Sequence, residues 1–268
     1  MNCFPYMTTY CVILWLLFKV IIPWLSSVTS DSYRKLDKHQ KMIWSENVVS
    51  TIHAIVVSLL ATWILLYDEA VIKEPVLGDS WSIRQLASIA CAFMLVDIVI
   101  MYSVGDRSSL FYIHHLSVAL TSLYCMREGR FCPWFTSIKT LSEASTPFVH
   151  ANWFLKASKI SEDSVAAKLL TYAVFTMCRI LLIPIFWFNT YIHWEKGWSI
   201  KIVWVLILSS SVVLDLLNIR WWWQMTVKFL YYARCIIQNV AYDDKRHRLP
   251  STIYNKSEKA EKQMTFMR

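Results

Sequence analysis

At 268 residues, 56% of them apolar and only four of them glycine, the chain gathers its hydrophobic residues into blocks of about 20, the length that crosses a hydrocarbon core roughly 30 Å thick. That clustering excludes a soluble domain. The formal charge of +8 lies largely in a C-terminal tail, KRHRLPSTIYNKSEKAEKQ, which reads as a solvated juxtamembrane segment able to touch anionic headgroups, so no nucleic-acid partner is expected.

In chain order the predicted spans are 9–28, 47–67, 84–103, 110–126, 132–155, 166–190 and 199–224. No basic region precedes the first, so it reads as a membrane anchor and not as a cleaved signal. Tryptophans 24, 44, 81, 134, 153, 194, 198 and 221–223 sit at the edges of the blocks, as an aromatic belt does. The fold class is therefore all-α integral membrane. With the N-terminus outside and the C-terminus in the cytosol, the inner segments carry 17 basic residues and the outer loops 6, which satisfies the positive-inside rule. The sequon Asn255-Lys-Ser257 is then cytosolic. The loop DEAVIKEPVLGDS is an acidic connector turned by Pro75 and Gly78.

Ionisable residues inside spans are functional candidates, since each must be hydrated, paired or turned inward. This chain has His53, Asp97, His114, His115, Lys139, Glu143, His150, Arg179 and Asp215. Several fall on polar stripes at helical spacing. One runs His114, Ser117, Thr121, Tyr124; another Thr136, Lys139, Thr140, Glu143, Pro147, His150. A third is Tyr172, Thr176, Arg179, and a fourth Ser211, Asp215, Asn218, Trp222. Such offsets share a helix face, and stripes on neighbouring helices avoid lipid only by facing one another. A polar interior follows, with His53, Asp97, His114, His115 and Asp215 in its cytosolic half and Lys139, Glu143 and Arg179 nearer the middle. Within it Lys139 and Glu143, four apart, can neutralise each other, and Arg179 can pair with Glu143 or Asp97.

The pair His114 and His115 opens three chemistries. A di-iron centre needs histidine boxes, and with seven histidines in all, of which His39, His193 and His247 lie outside the membrane core, none is formed. A single metal is disfavoured because adjacent helical residues point about 100° apart. General-base or nucleophilic work by one imidazole, oriented by Asp97 or Asp215, suits acyl transfer. Seven cysteines make no CxxC pair and no zinc spacing with histidine, and most read as packing residues; Cys125 and Cys132 flank one loop and are the one pair placed to bridge. No metal and no cofactor is expected.

The ordered blocks WSENVVSTIHAIVV, YDEAVIKEP, FYIHHLSVAL, LSEASTPFVHANWFL and VVLDLLNIRWW resemble the TLC-domain membrane proteins, relatives of the ceramide synthases. The resemblance runs from about residue 40 to 225. It implies a six-helix bundle around a central, lipid-accessible cavity, an N-terminal anchor helix, and residence in the endoplasmic reticulum or another endomembrane. The expected division is 1–39, anchor and cytosolic linker; 40–228, TLC membrane domain; and 229–268, basic cytosolic tail. In the synthases the paired histidines, here His114 and His115, belong to the catalytic motif, together with a downstream His-Asp pair. At the corresponding place this chain reads LSEAS, with Glu143 as its acid and no histidine. Two functions therefore stand. One is a multipass protein of lipid homeostasis that binds, senses or moves acyl lipids, with His53, Lys139, Glu143, His150, Arg179 and Asn218 lining its cavity. The other is an acyltransferase that takes acyl-CoA, with His115 as base or acyl carrier, His114 as partner and Asp97 or Asp215 as orienter. Membrane lipids are the expected partners; no oligomeric state is implied.

Overall fold

A computed structural model describes residues 3–105, 108–160 and 164–237. Arg107, His247, the Asn255 sequon and most of the basic tail lie outside these residues. The described chain is helical throughout, and its long segments are α1 (Phe4–Thr29), α2 (Lys38–Tyr67), α3 (Trp81–Val104), α4 (Ser109–Glu128), α5 (133–157), α6 (Val165–Ile192) and α7 (Lys201–Ile237). Among the described residues, α1, α2, α3, α6 and α7 are long and apolar enough to cross a membrane. The expectation of seven crossings is thus met by five on length and composition. The other two, α4 and α5, carry the histidine pair and the Lys139–Glu143–His150 stripe, and those polar side chains take them below that combination.

Local sequence sets the boundaries. Asp37 opens α2 by accepting from the Gln40 amide at 2.8 Å, and Ser80 and Ser164 do the same for α3 and α6; such caps are worth about 1 kcal/mol each. Gly105 and Gly129 end α3 and α4 in the left-handed conformation, with φ of 84° and 63°, which costs a glycine little. Before α7, Gly197 lies against the fully buried indole of Trp204, where a Cβ would come within 2.2 Å of the ring.

Three helices are distorted, and a proline accounts for each. A proline lacks its own N–H and presses on the carbonyl four residues earlier. Pro23 meets Lys19, Pro147 meets Glu143 and Pro184 meets Ile180. The chain responds with wide, π-type turns at Leu17–Ile21 and Thr176–Ile180 and a tight 3₁₀ turn at Leu141–Ser145. The last of these breaks the phase of the α5 stripe. Lys139, Glu143 and His150, expected on one continuous face, instead meet different partners.

The helices pack in a ring: α2 on α3, α3 on α4, α4 on α7, α7 on α6, α6 on α5, and α5 back on α2. The first helix lies outside the ring, its Leu14, Phe18 and Ile22 packed with Val49 of α2 and Ala92, Phe93 and Val96 of α3. Trp24, Trp81 and Trp223 are exposed, as belt residues are, but Trp221 is buried. It turns inward to stack on Phe111 at 5.3 Å, a correction to its reading as an interface residue. Cys125 and Cys132 are both buried free thiols, so they do not bridge.

Candidate functional site

Within the ring lie two adjoining, partly open chambers. One, with an open volume of about 580 Å³, is lined by polar groups from five helices, including Glu46, Asn47, Ser50, Asp97, His115, Thr146 and Arg179. The other, of about 810 Å³, is more apolar: Ala87, Ala90, Val118, Phe131, Phe135, Ile207 and Leu214 supply much of its wall, with His53, Thr121 and Lys139 among them. Met94, His114 and Glu143 border both. The junction of the two chambers is thus marked by the first histidine of the pair and by the acid of LSEAS.

The two histidines have different surroundings. The Nε2 of His115 lies 3.0 Å from Asp97 Oδ2, and its Nδ1 lies 2.9 Å from the carbonyl of Phe111 one turn earlier. Both nitrogens of His115 are thus engaged, one with the Asp97 carboxyl and one with the backbone, and the buried His115–Asp97 hydrogen bond joins α4 to α3. His114 packs edge-on to His115, with centroids 5.1 Å apart, and lies 6.1 Å from the Trp221 ring. Its Nδ1 is buried with no hydrogen-bond partner among the described residues. Both histidines line the polar chamber, His115 with both nitrogens engaged and His114 with a buried Nδ1 that makes no hydrogen bond among the described residues.

Arg179 is held on several sides. Its Nε donates to Ser145 Oγ at 2.8 Å, Nη1 to Asn218 Oδ1 at 3.1 Å, and Nη2 to Thr146 Oγ1 at 3.2 Å, with Glu143 Oε2 at 3.9 Å. The π-type turn beside Pro184 carries this guanidinium, and the 3₁₀ turn beside Pro147 carries Glu143 and Ser145. Paired proline distortions thus bring α5 and α6 together around one charge. Of its two expected acids, Arg179 meets Glu143 and not Asp97.

Lys139 does not neutralise Glu143. Its ammonium bonds Asp215 Oδ1 at 2.6 Å and lies over the Phe186 ring at 4.1 Å, while Trp187 donates its indole N–H to Asp215 Oδ2 at 2.9 Å. Asp215 therefore ties α5, α6 and α7 together and is not beside either histidine of the pair, so of the two expected orienters Asp97 alone is in place. His150 is also removed from the pair: its Nδ1 lies 2.9 Å from Thr51 Oγ1 on α2. His53 stacks on Phe93 at 3.8 Å and 8°, an arrangement worth roughly 1 kcal/mol beyond its burial, and neither ring nitrogen has a hydrogen-bond partner among the described residues.

Glu46, Asn47, Ser50 and Thr146, all lining the polar chamber, were missed from sequence. Asn47 is fully buried, and neither its amide oxygen nor its nitrogen has a partner among the described residues; Glu46 is buried beside it. Glu46, Ser50 and His53 stand at i, i+4 and i+7, one helix face, which was the available signal. The start of α2 at Lys38, a turn or more before the expected 47, hid it. Among the described residues no three His, Cys, Asp or Glu side chains converge as a ligand set.

The family profile TRAM_LAG1_CLN8, TLC domain, matches residues 43–227. This chain belongs to the TLC-domain family. It is 31% identical to TLC domain-containing protein 4-B of Xenopus laevis over 218 residues, covering 76% of this chain and 81% of that one. It is 32% identical to the Danio rerio protein of the same name, over 78% and 82% of the two chains, and 31% identical to human TLC domain-containing protein 4 over 77% and 81%. No solved structure matches it significantly. The TLC match spans α2 to α7 through most of its length, which is the ring itself, and α1 lies before it.

Proposed function

We propose that this TLC-domain protein acts in membrane lipid composition, holding an acyl lipid in the ring with its chain in the apolar chamber and its polar end in the other. The observation that carries this reading is the two-part cavity, whose shape and polarity complement an amphiphile. A cavity lined mainly by apolar groups, with a few placed polar ones, is the usual form of a small-molecule site. The unpartnered Asn47 and His114 Nδ1 supply a further argument: buried polar atoms cost roughly 1–3 kcal/mol when left unpaired, and an ester, amide or hydroxyl of a lipid would satisfy them. We place the protein in the endoplasmic reticulum or a related membrane, N-terminus lumenal and C-terminus cytosolic. Glycosylation of Asn255 would reverse that orientation.

A second reading has its own observation. His114, beside the hydrogen-bonded His115 and Asp97, would attack the thioester carbonyl, expel the CoA thiolate and pass the acyl group to a lipid amine or alcohol, the acyltransferase alternative. One experiment addresses both readings. The purified protein in nanodiscs is extracted for bound lipid and, in parallel, incubated with radiolabelled acyl-CoA and a panel of lipid amines and alcohols. Lipid binding predicts a copurifying acyl lipid, reduced in Asn47→Leu, and no product. Product lost in His114→Ala would establish transfer. A folded protein with neither bound lipid nor product overturns both.

A further inference from the structure

A second pocket lies outside the ring, between α1, the Asp31–Arg34 turn and the start of α2. Its open volume is about 750 Å³, its apolar wall is Phe18, Tyr33 and Met42, and Lys19, Lys38 and Lys41 stand around it. No carboxylate lines it. The acids nearest in sequence are committed elsewhere: Asp31 pairs with Arg34, Asp37 caps α2, and Glu46 faces the central cavity.

Lys19 is the informative member. It stands in an apolar span, about 15 Å from the C-terminal end of α1 at 1.5 Å per residue. A cation at such depth requires a partner or a route to water. Among the described residues it has no carboxylate partner, and its ammonium instead rests 5.0 Å from the Trp15 ring and 4.9 Å from that of Phe18. Lys41, likewise without a carboxylate, lies over Tyr33 at 5.6 Å. The backbone also singles Lys19 out. The two π-type turns of the molecule's described residues each precede a proline and each carry the single basic residue of that stretch, Arg179 in one and Lys19 in the other. In α6 that turn delivers Arg179 to a set of acceptors. In α1 the same device delivers Lys19 to a pocket that holds cations and no acceptor of charge.

We infer that this pocket binds a phosphate-bearing anion, with the three lysines on the phosphate and the aromatic wall against the apolar part that follows it. A phospholipid headgroup and a soluble phosphate compound share this chemistry. The position of Lys19 among exposed, lipid-facing Leu16, Val20 and Ile21 favours the lipid.

The test uses the full chain in phosphatidylcholine nanodiscs, with phosphatidic acid as the probe, diacylglycerol of the same chains as the neutral control, and native mass spectrometry to count retained lipid. Wild type should retain phosphatidic acid over diacylglycerol, less so as salt rises. A lysine near the membrane surface, as Lys41 is at the start of α2, is worth about a fivefold preference for an anionic lipid, so K19Q/K41Q should lose at least about fivefold and K19R/K41R should keep the preference. Inorganic phosphate that displaces the probe from wild type, and binds wild type but not K19Q/K41Q, would assign the pocket to soluble phosphate. Equal retention of the two lipids by wild type, or an unchanged preference in K19Q/K41Q, overturns the site. Lys38→Gln, at an exposed residue, reports the same preference about fivefold weakened should the double variant not fold.

Discussion

Replacing Lys139 by methionine tests the core where sequence and structure give different partners. Removing the ammonium leaves the Asp215 carboxylate in a buried site with one remaining donor, the Trp187 indole at 2.9 Å. Breaking a buried ion pair on one side costs about 3–5 kcal/mol. The Lys139 side chain is 17% exposed and Asp215 9%, and Lys139 borders the cavity, so water relieves part of that cost and ~3 kcal/mol is the better figure. At about 2–4 °C per kcal/mol for a chain of this size, the unfolding midpoint should fall by roughly 6–12 °C. The assay is intrinsic tryptophan fluorescence during heating in a mild detergent, with Trp187 itself a reporter. The second variant decides the matter. Lys139→Met with Asp215→Asn removes both charges yet leaves an amide oxygen for the indole, and should recover at least half of the loss. Lys139→Met with Glu143→Gln should recover none and fall further, since Glu143 serves Arg179. Rescue by Glu143→Gln and not by Asp215→Asn would refute the pairing.

The two adjacent histidines should separate by phenotype: both Ala variants open a cavity, but His115→Ala also leaves the buried Asp97 carboxyl without its imidazole and should cost about 1–3 kcal/mol more than His114→Ala, whereas His114→Ala, read by the same melts and by bound-lipid content, should reduce retained acyl lipid. Gly197→Ala forces a methyl into the Trp204 ring, and overpacking of that kind should cost about 1–3 kcal/mol, seen as a lower midpoint. Glu74, in the connection before α3, bonds Lys196 in the short helix Trp194–Trp198 before α7, and the hydrogen bond from that lysine holds the Glu74 carboxyl below the usual glutamate range. A lowered carboxylate contributes stability that is present above its unfolded pKa and lost as pH falls through the folded value. Acid titration of the midpoint below about pH 4 should therefore show a loss in wild type that is smaller in Lys196→Gln; identical acid limbs would remove this link.

The class of the molecule was legible in the chain because a bilayer imposes a length on apolar segments, and this composition leaves few other ways to hide them. The polar residues were legible as candidates for the same reason: a charge in hydrocarbon has to be explained, so His53, Asp97, His114, His115, Lys139, Glu143, Arg179 and Asp215 announced an interior. Their partners were not legible. Helical spacing relates residues on one helix, and it favoured Lys139 with Glu143 at i, i+4. Pro147 broke that helix into a 3₁₀ turn, and the lysine found Asp215, 76 residues away. Nor could two neighbouring histidines be told apart from order alone. A 100° step around α4 sets His115 against Asp97 and the carbonyl of Phe111, and sets His114 where the two chambers meet. What the sequence determined by itself was which groups must be buried, since transfer from water to lipid is a property of each side chain. Which of them neutralise one another, and which remain open to a ligand, was decided only when six helices closed into a ring, because pairing depends on distances between helices that no spacing along one helix contains.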